Sequence, residues 1–261
     1  MSRRLAAVVV LALAVITGMV IGPIVLGTIG SDAADDGGAT SPSSLAPTSA
    51  EVTSSTDAHT RSTSPATLTK EQEADLLAGV RVREVPDSGS GELRVVSGES
   101  EAPDGDAPVM TVRVEVEEGL DIDDAAFAAF VMETLNDPRG WGADGSVRFA
   151  RTEGEADIRV VLATPSTVDD MCAPLATNGR WSCGRYGHAA LNADRWVFGA
   201  DAWLDGGGSL TAYRRYLVSH EVGHLLGHPH EQCPAAGAQA PVMVQQSISL
   251  QGCEPNGWPF P

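Results

Sequence analysis

The chain has 261 residues and carries 35 acidic against 17 basic side chains, a formal net charge of −18 at pH 7. Residues 79–261 contain 13 arginines, no lysine and 27 carboxylates, which gives that part of the chain a net charge of −14. A surface of this sign repels phosphate backbones, so the composition disfavours nucleic-acid binding. It could favour cationic substrates, although a generally acidic, solvated surface is the simpler explanation.

The amino terminus predicts a membrane anchor over residues 1–30. Two arginines at positions 3 and 4 precede an uncharged, largely apolar run of 25 residues at 5–29, long enough to span a bilayer core of about 30 Å. The positive-inside rule then predicts a single-pass membrane protein with a cytoplasmic amino terminus and an extracytoplasmic domain. The alternative is secretion after signal cleavage, but cleaved signals have a shorter apolar region.

Residues 31–67 predict a disordered stalk. They are rich in Ser, Thr, Ala and Pro and contain few large apolar residues, so they cannot bury enough surface to offset the entropy cost of ordering. Residues 68–261 have the composition of a folded domain and are numerous enough to build one hydrophobic core.

The apolar periodicity of this domain predicts both helices and strands. Residues 109–116 alternate as a strand with one buried side, and residues 121–135 carry the apolar stripe of a helix. Thr69 and Ser209 are N-cap candidates for a short helix at 69–78 and a long helix from 210 to about 226. Further short strands are predicted at 80–85, 93–97, 147–150, 157–163 and 188–192, a disulfide-tied loop at 165–187, and little regular structure at 228–261. This order predicts an α+β fold with a mixed or mostly antiparallel sheet packed on two main helices.

The end of the long helix holds the most informative motif, HEVGHLLGHPH at residues 220–230, which contains the pattern H-E-x-x-H-x-x-G-x-x-H. His220 and His224 are four residues apart, so on a helix they project from the same face and can bind one zinc ion. Glu221 is poorly placed as a further ligand but can reach a water on the metal as general base.

The third ligand has two candidates. Gly227 can adopt the left-handed conformation that ends a helix, after which the chain can fold back and present His230. His228 is four residues after His224 and would align with it only if the helix continued. Gly227 and Pro229 both argue that the helix has ended, so the sequence favours His230.

The four cysteines of the chain all lie in the folded domain, and an even number in an exported chain suggests disulfides. Three pairings are possible, and the local one, Cys172 with Cys183 and Cys233 with Cys253, is favoured. Zinc ligation by cysteine is the alternative, but there is no C-x-x-C spacing to support it.

The motif with Gly227 and His230 resembles that of the metzincin class of zinc peptidases. Members of this class carry a methionine-containing turn beneath the metal, and Met243 in the segment PVMV at 241–244 is the matching residue. The resemblance implies a metzincin-like zincin domain, in which the sheet packs on an active-site helix that binds one catalytic zinc ion.

A closer resemblance covers nearly the whole folded domain. The chain looks like an uncharacterised family of membrane-anchored actinobacterial proteins that are classed as metzincins. The matching stretches are DPRGW at 137–141, SC at 182–183, LNADRW at 191–196, YRRYLVSHEVGHLLGHPHEQCP at 213–234, APVMVQQS at 240–247 and CEPNGWP at 253–259. This resemblance implies an extracytoplasmic zinc peptidase domain but names no substrate.

Two positions depart from better-known metzincins. Astacin-like enzymes have a glutamate where Glu231 stands, and it meets the free amino terminus of the processed enzyme, a role that should not transfer to an anchored chain. Several metzincins have a tyrosine near the metal, two residues after the turn methionine. This chain has Gln245 there, so another group is needed to stabilise the transition state.

The function predicted from the sequence is zinc-dependent hydrolysis of peptide bonds in a peptide or protein substrate. In many metzincins an edge strand pairs with the extended substrate, and residues 188–192 are the candidate for it here. Two alternatives stay open: an inactive binding domain in which the zinc is structural, and an amidase acting on cell-wall peptides.

Overall fold

The computed structural model describes residues 67–261. The predicted anchor at 1–30 and the predicted stalk, up to residue 66, lie outside the described residues. Between residues 67 and 261, no helix has both the length and the apolar character needed to cross a membrane.

The domain is α+β and is built on one mixed sheet. Its strands are β1 (Leu93–Val95), β2 (Val109–Glu117), β3 (Arg148–Arg151), β4 (Ile158–Ala163), β5 (Cys183–Arg185) and β6 (His188–Asn192). They are ordered β1-β2-β4-β6-β5, with β3 also paired to β2. The three middle strands run parallel, whereas β1 and β5 are antiparallel to their neighbours. The mixed sheet is confirmed, and the mostly antiparallel alternative is wrong because the central pairings are parallel.

Side-chain alternation gives β2 one face in the core. Val112, Val114 and Val116 are at most 1% exposed and pack with the apolar residues of β4. The parallel register aligns Val114 with Val160, so the two apolar rows meet on the same side of the sheet.

The helices are α1 (Lys70–Leu77), α2 (Asp124–Leu135), α3 (Pro165–Cys172), α4 (Ala193–Phe198), α5 (Asp201–Asp205) and α6 (Leu210–Leu225). Thr69 caps α1 in a capping box, and the Ser209 hydroxyl accepts a hydrogen bond from the Ala212 amide at the start of α6. Both predicted caps are therefore confirmed. Helix α6 is buried along most of its length and contacts β5, β6 and α2.

Two of the predicted elements are wrong. Residues 80–85 do not form a strand, and Val80 makes one isolated bridge to Ile122. The arginines at 81 and 83 that interrupt this run are drawn into ion pairs with Asp121, Asp123 and Asp75. The segment 165–187 is more than a loop: Pro165 opens α3 at a position where proline suits a helix, and β5 follows.

The sheet edge is also different from the prediction. Residues 188–192 form β6, which is an inner strand between β4 and β5, so the expectation of an edge strand there is wrong. The edge on this side of the sheet is β5, which follows the loop that the Cys172–Cys183 disulfide closes and pairs antiparallel with the next strand, β6. Because β5 has only three residues, it has no apolar run that a sequence pattern could detect. Its position at the edge depends on the turn that joins it to β6.

Arg214 fastens the first helix of the domain to α6. Its side chain is fully buried, and its guanidinium donates hydrogen bonds to the carbonyl oxygens of Ala74 and Trp196, each at 2.6 Å. It also forms an ion pair with Asp75 at 2.7 Å. A buried arginine is tolerated here because its donors meet acceptors from α1 and α4.

Candidate metal centre

Three histidines converge at the carboxyl end of α6. His220 and His224 lie one helical turn apart, and His230 comes back to them from the segment after the helix. One ring nitrogen from each lies within 4.8 Å of the others, and the Nε2 atoms of His224 and His230 are 3.1 Å apart. Two nitrogens held about 2.0–2.1 Å from one tetrahedral zinc ion lie at about this separation. The structure thus brings together the three residues that the motif selected.

The chain reversal after α6 decides between the two candidates for the third position. The helix ends at Leu225, and Gly227 has a φ of +95°, in the left-handed region. The Gly227 amide then donates to the His224 carbonyl oxygen, and the His228 amide donates to that of Gly223. His228 is thereby turned away from the cluster, and its ring stacks on Trp141 with 4.1 Å between the ring centroids.

Backbone carbonyls orient two of the three imidazoles. The Nδ1 atom of His220 donates to the Val242 carbonyl oxygen at 2.9 Å, and that of His224 donates to the His228 carbonyl oxygen at 3.0 Å. These bonds leave each Nε2 facing the cluster, which is the arrangement seen around histidines that bind metals.

Burial keeps the three rings neutral, the form in which imidazole binds a cation. It lowers the pKa of His220 to about 3 and also lowers the pKa values of His224 and His230. The cluster could therefore bind a metal ion, and its nitrogen donors suit zinc.

Met243 lies beneath this cluster. It is fully buried, and a Cβ atom added to Gly223 would come within 2.6 Å of its Sδ atom, so the glycine lets the methionine pack against the helix. The Met243 carbonyl oxygen accepts a hydrogen bond from the Glu231 amide at 3.0 Å. The turn is thus connected directly to the residue after His230.

Both disulfides of the local pairing are present. Cys172–Cys183 joins the end of α3 to the start of β5, and Cys233–Cys253 ties the segment after His230 to the carboxyl-terminal region. Each bridge closes a loop that adjoins the site, and both indicate an oxidising, extracytoplasmic environment for the domain.

Glu221 is buried beside the histidine cluster. Burial raises the pKa of its carboxyl to about 8, and a hydrogen bond from the Gly184 amide of β5 opposes this shift only in part. Because a buried carboxyl without a cationic partner is costly, it is a feature typical of functional sites.

The three histidines and Glu221 line one cleft of about 480 Å³. Its other lining residues are Leu175, Ala176, Thr177, Trp181, Ser182, Cys183, Gly184, Arg185, Tyr216, Gln245, Ser247 and Ile248. The edge strand β5 thus forms one wall, and the residues that follow Met243 form another. Glu221 is the only carboxylate among these residues, so the acidity of the domain does not extend into the cleft.

The position two residues after Met243, where several metzincins have a tyrosine, lies in the cleft. Gln245 is exposed and lines the cleft. Tyr216 lies close to His220, but its hydroxyl already donates to the Val244 carbonyl oxygen and accepts from the Gln246 amide. Tyr216 therefore supports the turn from below, and its hydroxyl is not free to act on a substrate.

Two residues important to the geometry were not identified from the sequence. At Gly184, a Cβ atom would lie 2.0 Å from the Glu221 carbonyl oxygen, so only glycine lets β5 approach α6 this closely. Trp141 donates its indole N–H to the Ser219 carbonyl oxygen at 2.8 Å, next to the first histidine. The glycine beside Cys183 was a possible signal for the first, and the DPRGW stretch at 137–141, which ends at Trp141, was one for the second.

Comparison with known proteins yields one family. A family model described as "Protein of unknown function (DUF3152)" matches residues 81–256. No curated protein and no solved structure matches the chain. The matched range contains the histidine cluster, Glu221, Met243 and all four cysteines, so the candidate site lies wholly within the part of the chain that the family model covers.

Proposed function

The chain belongs to the DUF3152 family, and we propose that it is a zinc-dependent metalloendopeptidase that acts outside the cytoplasm. One observation carries the proposal: three neutral histidines converge at the base of an open cleft that also contains a buried carboxyl, Glu221. This combination is the one that metal-assisted hydrolysis requires.

His220, His224 and His230 would hold the ion through their Nε2 atoms. When bound, zinc supplies Lewis acidity, which brings the pKa of a coordinated water to about 7 and polarises a carbonyl group. The carbonyl oxygens of Val242 and His228 keep two of the ligand rings in place from behind.

Glu221 acts as the general base and then as the general acid. A nearby divalent cation would favour its charged form, against the effect of burial. The carboxylate would take a proton from the attacking water and pass it to the leaving amine. The Gly184 amide holds the carboxyl on the side of the edge strand.

The edge strand β5 offers a docking surface for an extended peptide. Cys183, Gly184 and Arg185 all line the cleft, and β5 is paired to β6 on its other side only. A substrate strand added to this edge would be held through backbone hydrogen bonds, with modest dependence on its sequence. This role replaces the one predicted for residues 188–192.

The shape of the site argues against a purely structural zinc. Structural zinc sites usually close with four protein ligands, whereas the cluster found within residues 67–261 has three members and opens on the cleft. A cell-wall peptide would meet the same chemistry and the same strand edge, so cell-wall amidase activity is an outcome of the test below.

The test combines metal analysis with digestion by the purified full-length chain. We expect one zinc ion per chain, cleavage of a peptide library, and loss of cleavage but not of zinc in Glu221→Gln. Stoichiometric zinc without cleavage of any peptide would contradict the peptidase proposal and favour a binding domain. Release of peptide from purified peptidoglycan, with casein left intact, would assign the activity to the cell wall.

A further inference from the structure

Trp141 packs against α6 and is not among the residues that line the cleft. Its indole N–H bonds the Ser219 carbonyl oxygen, and its ring packs on Gly223, where a Cβ atom would lie 2.6 Å from its Cζ2 atom. Ser219 and Gly223 directly precede His220 and His224. Trp141 is 8% exposed, so it is a fixed, buried platform at the level of the two helical histidines.

His228 rests on this platform. Its ring stacks on the Trp141 indole with 4.1 Å between centroids and 17° between planes. The ring is exposed and lies outside the cluster, but its backbone reaches the site. The His228 carbonyl oxygen accepts the hydrogen bond from Nδ1 of His224 at 3.0 Å.

Backbone hydrogen bonds also restrain the turn that presents this carbonyl. The turn begins at Gly227, which has a positive φ and open space where a Cβ atom would lie. The His228 amide donates to the Gly223 carbonyl oxygen, so the peptide units on both sides of the stacked ring contact α6. Stacking of aromatic rings stabilises such a contact beyond the area that it covers.

We propose that Trp141 and His228 form a positioning pair for the metal centre. Stacking of the His228 ring on Trp141 holds the turn after α6 in the conformation whose carbonyl oxygen orients the His224 imidazole. Neither side chain touches metal or substrate. The inference rests on the proposed metal site, because orientation of His224 matters most if that residue is a ligand.

The test uses two substitutions of His228 in the full-length chain. His228→Ala removes the ring and keeps the carbonyl, and we expect it to weaken zinc affinity by about tenfold, the lower range for outer-shell changes. His228→Phe restores a flat ring that cannot bind zinc, and we expect it to recover the wild-type affinity. Phe198→Ala, which removes another exposed aromatic ring beside Leu210 at the first turn of α6, is the matched control. Affinity is measured by competition with a chromophoric chelator.

A second readout needs no metal. Amide hydrogen exchange at residues 227–230 of the metal-free protein should be faster in His228→Ala than in wild type and slow again in His228→Phe. Equal affinity and equal exchange in wild type and His228→Ala would overturn the inference. A His228→Phe variant as weak as His228→Ala would replace stacking with a role for the imidazole nitrogens. Failure of the wild-type chain to bind zinc would refute the proposed function, while the exchange data would still decide whether the stack holds the turn.

Discussion

Helix α6 buries one charged residue in each half, and the surroundings of the two are opposite. The Arg214 guanidinium, in the first half, meets Asp75 and the carbonyl oxygens of Ala74 and Trp196. Glu221, two turns later and also buried, meets the Gly184 amide and has no cationic partner among the residues that the structure describes. The first charge is compensated by the protein, and the second is not.

This difference distinguishes a residue that suits a structural role from a residue that suits a chemical role within one helix. Burying a charge costs several kcal/mol unless partners replace the lost water, so a compensated charge such as Arg214 can be retained for anchoring. An uncompensated one is typical of functional sites, and the raised pKa of Glu221 is the physical sign of its environment. The first half of α6 thus holds the domain together, and the second half carries the site.

The largest effect expected from this comparison is on turnover. Glu221→Gln should lower peptide hydrolysis by about 10²–10⁴-fold, since a general base contributes that much. The free energy of unfolding of the metal-free protein should stay the same or rise, because the amide removes a buried ionisable group. Peptide turnover and chemical denaturation measure the two quantities. Glu231→Gln, an exposed acid close by, is the control and should change neither; a destabilised Glu221→Gln protein would contradict the comparison.

The next effect is on metal affinity. His230→Ala removes one of three nitrogens from the cluster, so it should weaken zinc binding by more than the roughly 10–100-fold typical of an outer-shell residue. His228→Phe keeps a ring on Trp141 and should bind zinc normally. Isothermal titration with zinc compares the two variants. If His228→Phe loses the metal and His230→Ala keeps it, the assignment of the third ligand is wrong.

Substitution of the compensated charge, Arg214, should lower the free energy of unfolding, whereas substitution of Glu221 should not. Arg214→Met should destabilise the protein by about 3–5 kcal/mol, because it removes one of the two guanidinium partners of Asp75 and the guanidinium donors of two buried carbonyl groups. Arg215→Met is the matched control: this neighbouring arginine is only partly buried and lies over the rings of Phe130 and Trp258, so its loss should cost about 0.5–1 kcal/mol. Urea denaturation measures both, and similar losses would show that the buried network is not special.

The smallest expected effect is a pH dependence of stability. Burial opposes ionisation of Asp75, but hydrogen bonds from Arg83 and Arg214 outweigh it and hold its pKa below the ordinary value. A carboxyl with a depressed folded-state pKa stabilises the protein above its unfolded pKa, and this contribution is lost as the pH falls below about 4. Wild type should therefore lose stability more steeply than Asp75→Asn over this acidic range. Parallel curves of unfolding free energy against pH for wild type and Asp75→Asn would show that Asp75 makes no such contribution.

The local elements followed from the sequence where pattern and caps agreed. Alternating valines located β2, and Ser209 together with Gly227 bounded α6 to within about a residue. The prediction failed at 80–85, where arginines form ion pairs with acidic residues of α1 and of the segment before α2, and at 188–192, where the strand is internal. Neither outcome could be predicted from the local sequence, because both depend on which other segment of the chain packs against these residues.

The sequence by itself determined the donor set of the site: helical spacing brings His220 and His224 together, and a glycine and a proline end the helix before His230. Only the tertiary structure decided what surrounds those donors. In the folded domain Gly184 packs against Glu221, β5 lies at the sheet edge, and His228 stacks on Trp141. The reason is range: helix periodicity and capping act over a few residues, whereas burial, edge position and stacking join residues that the chain separates by dozens.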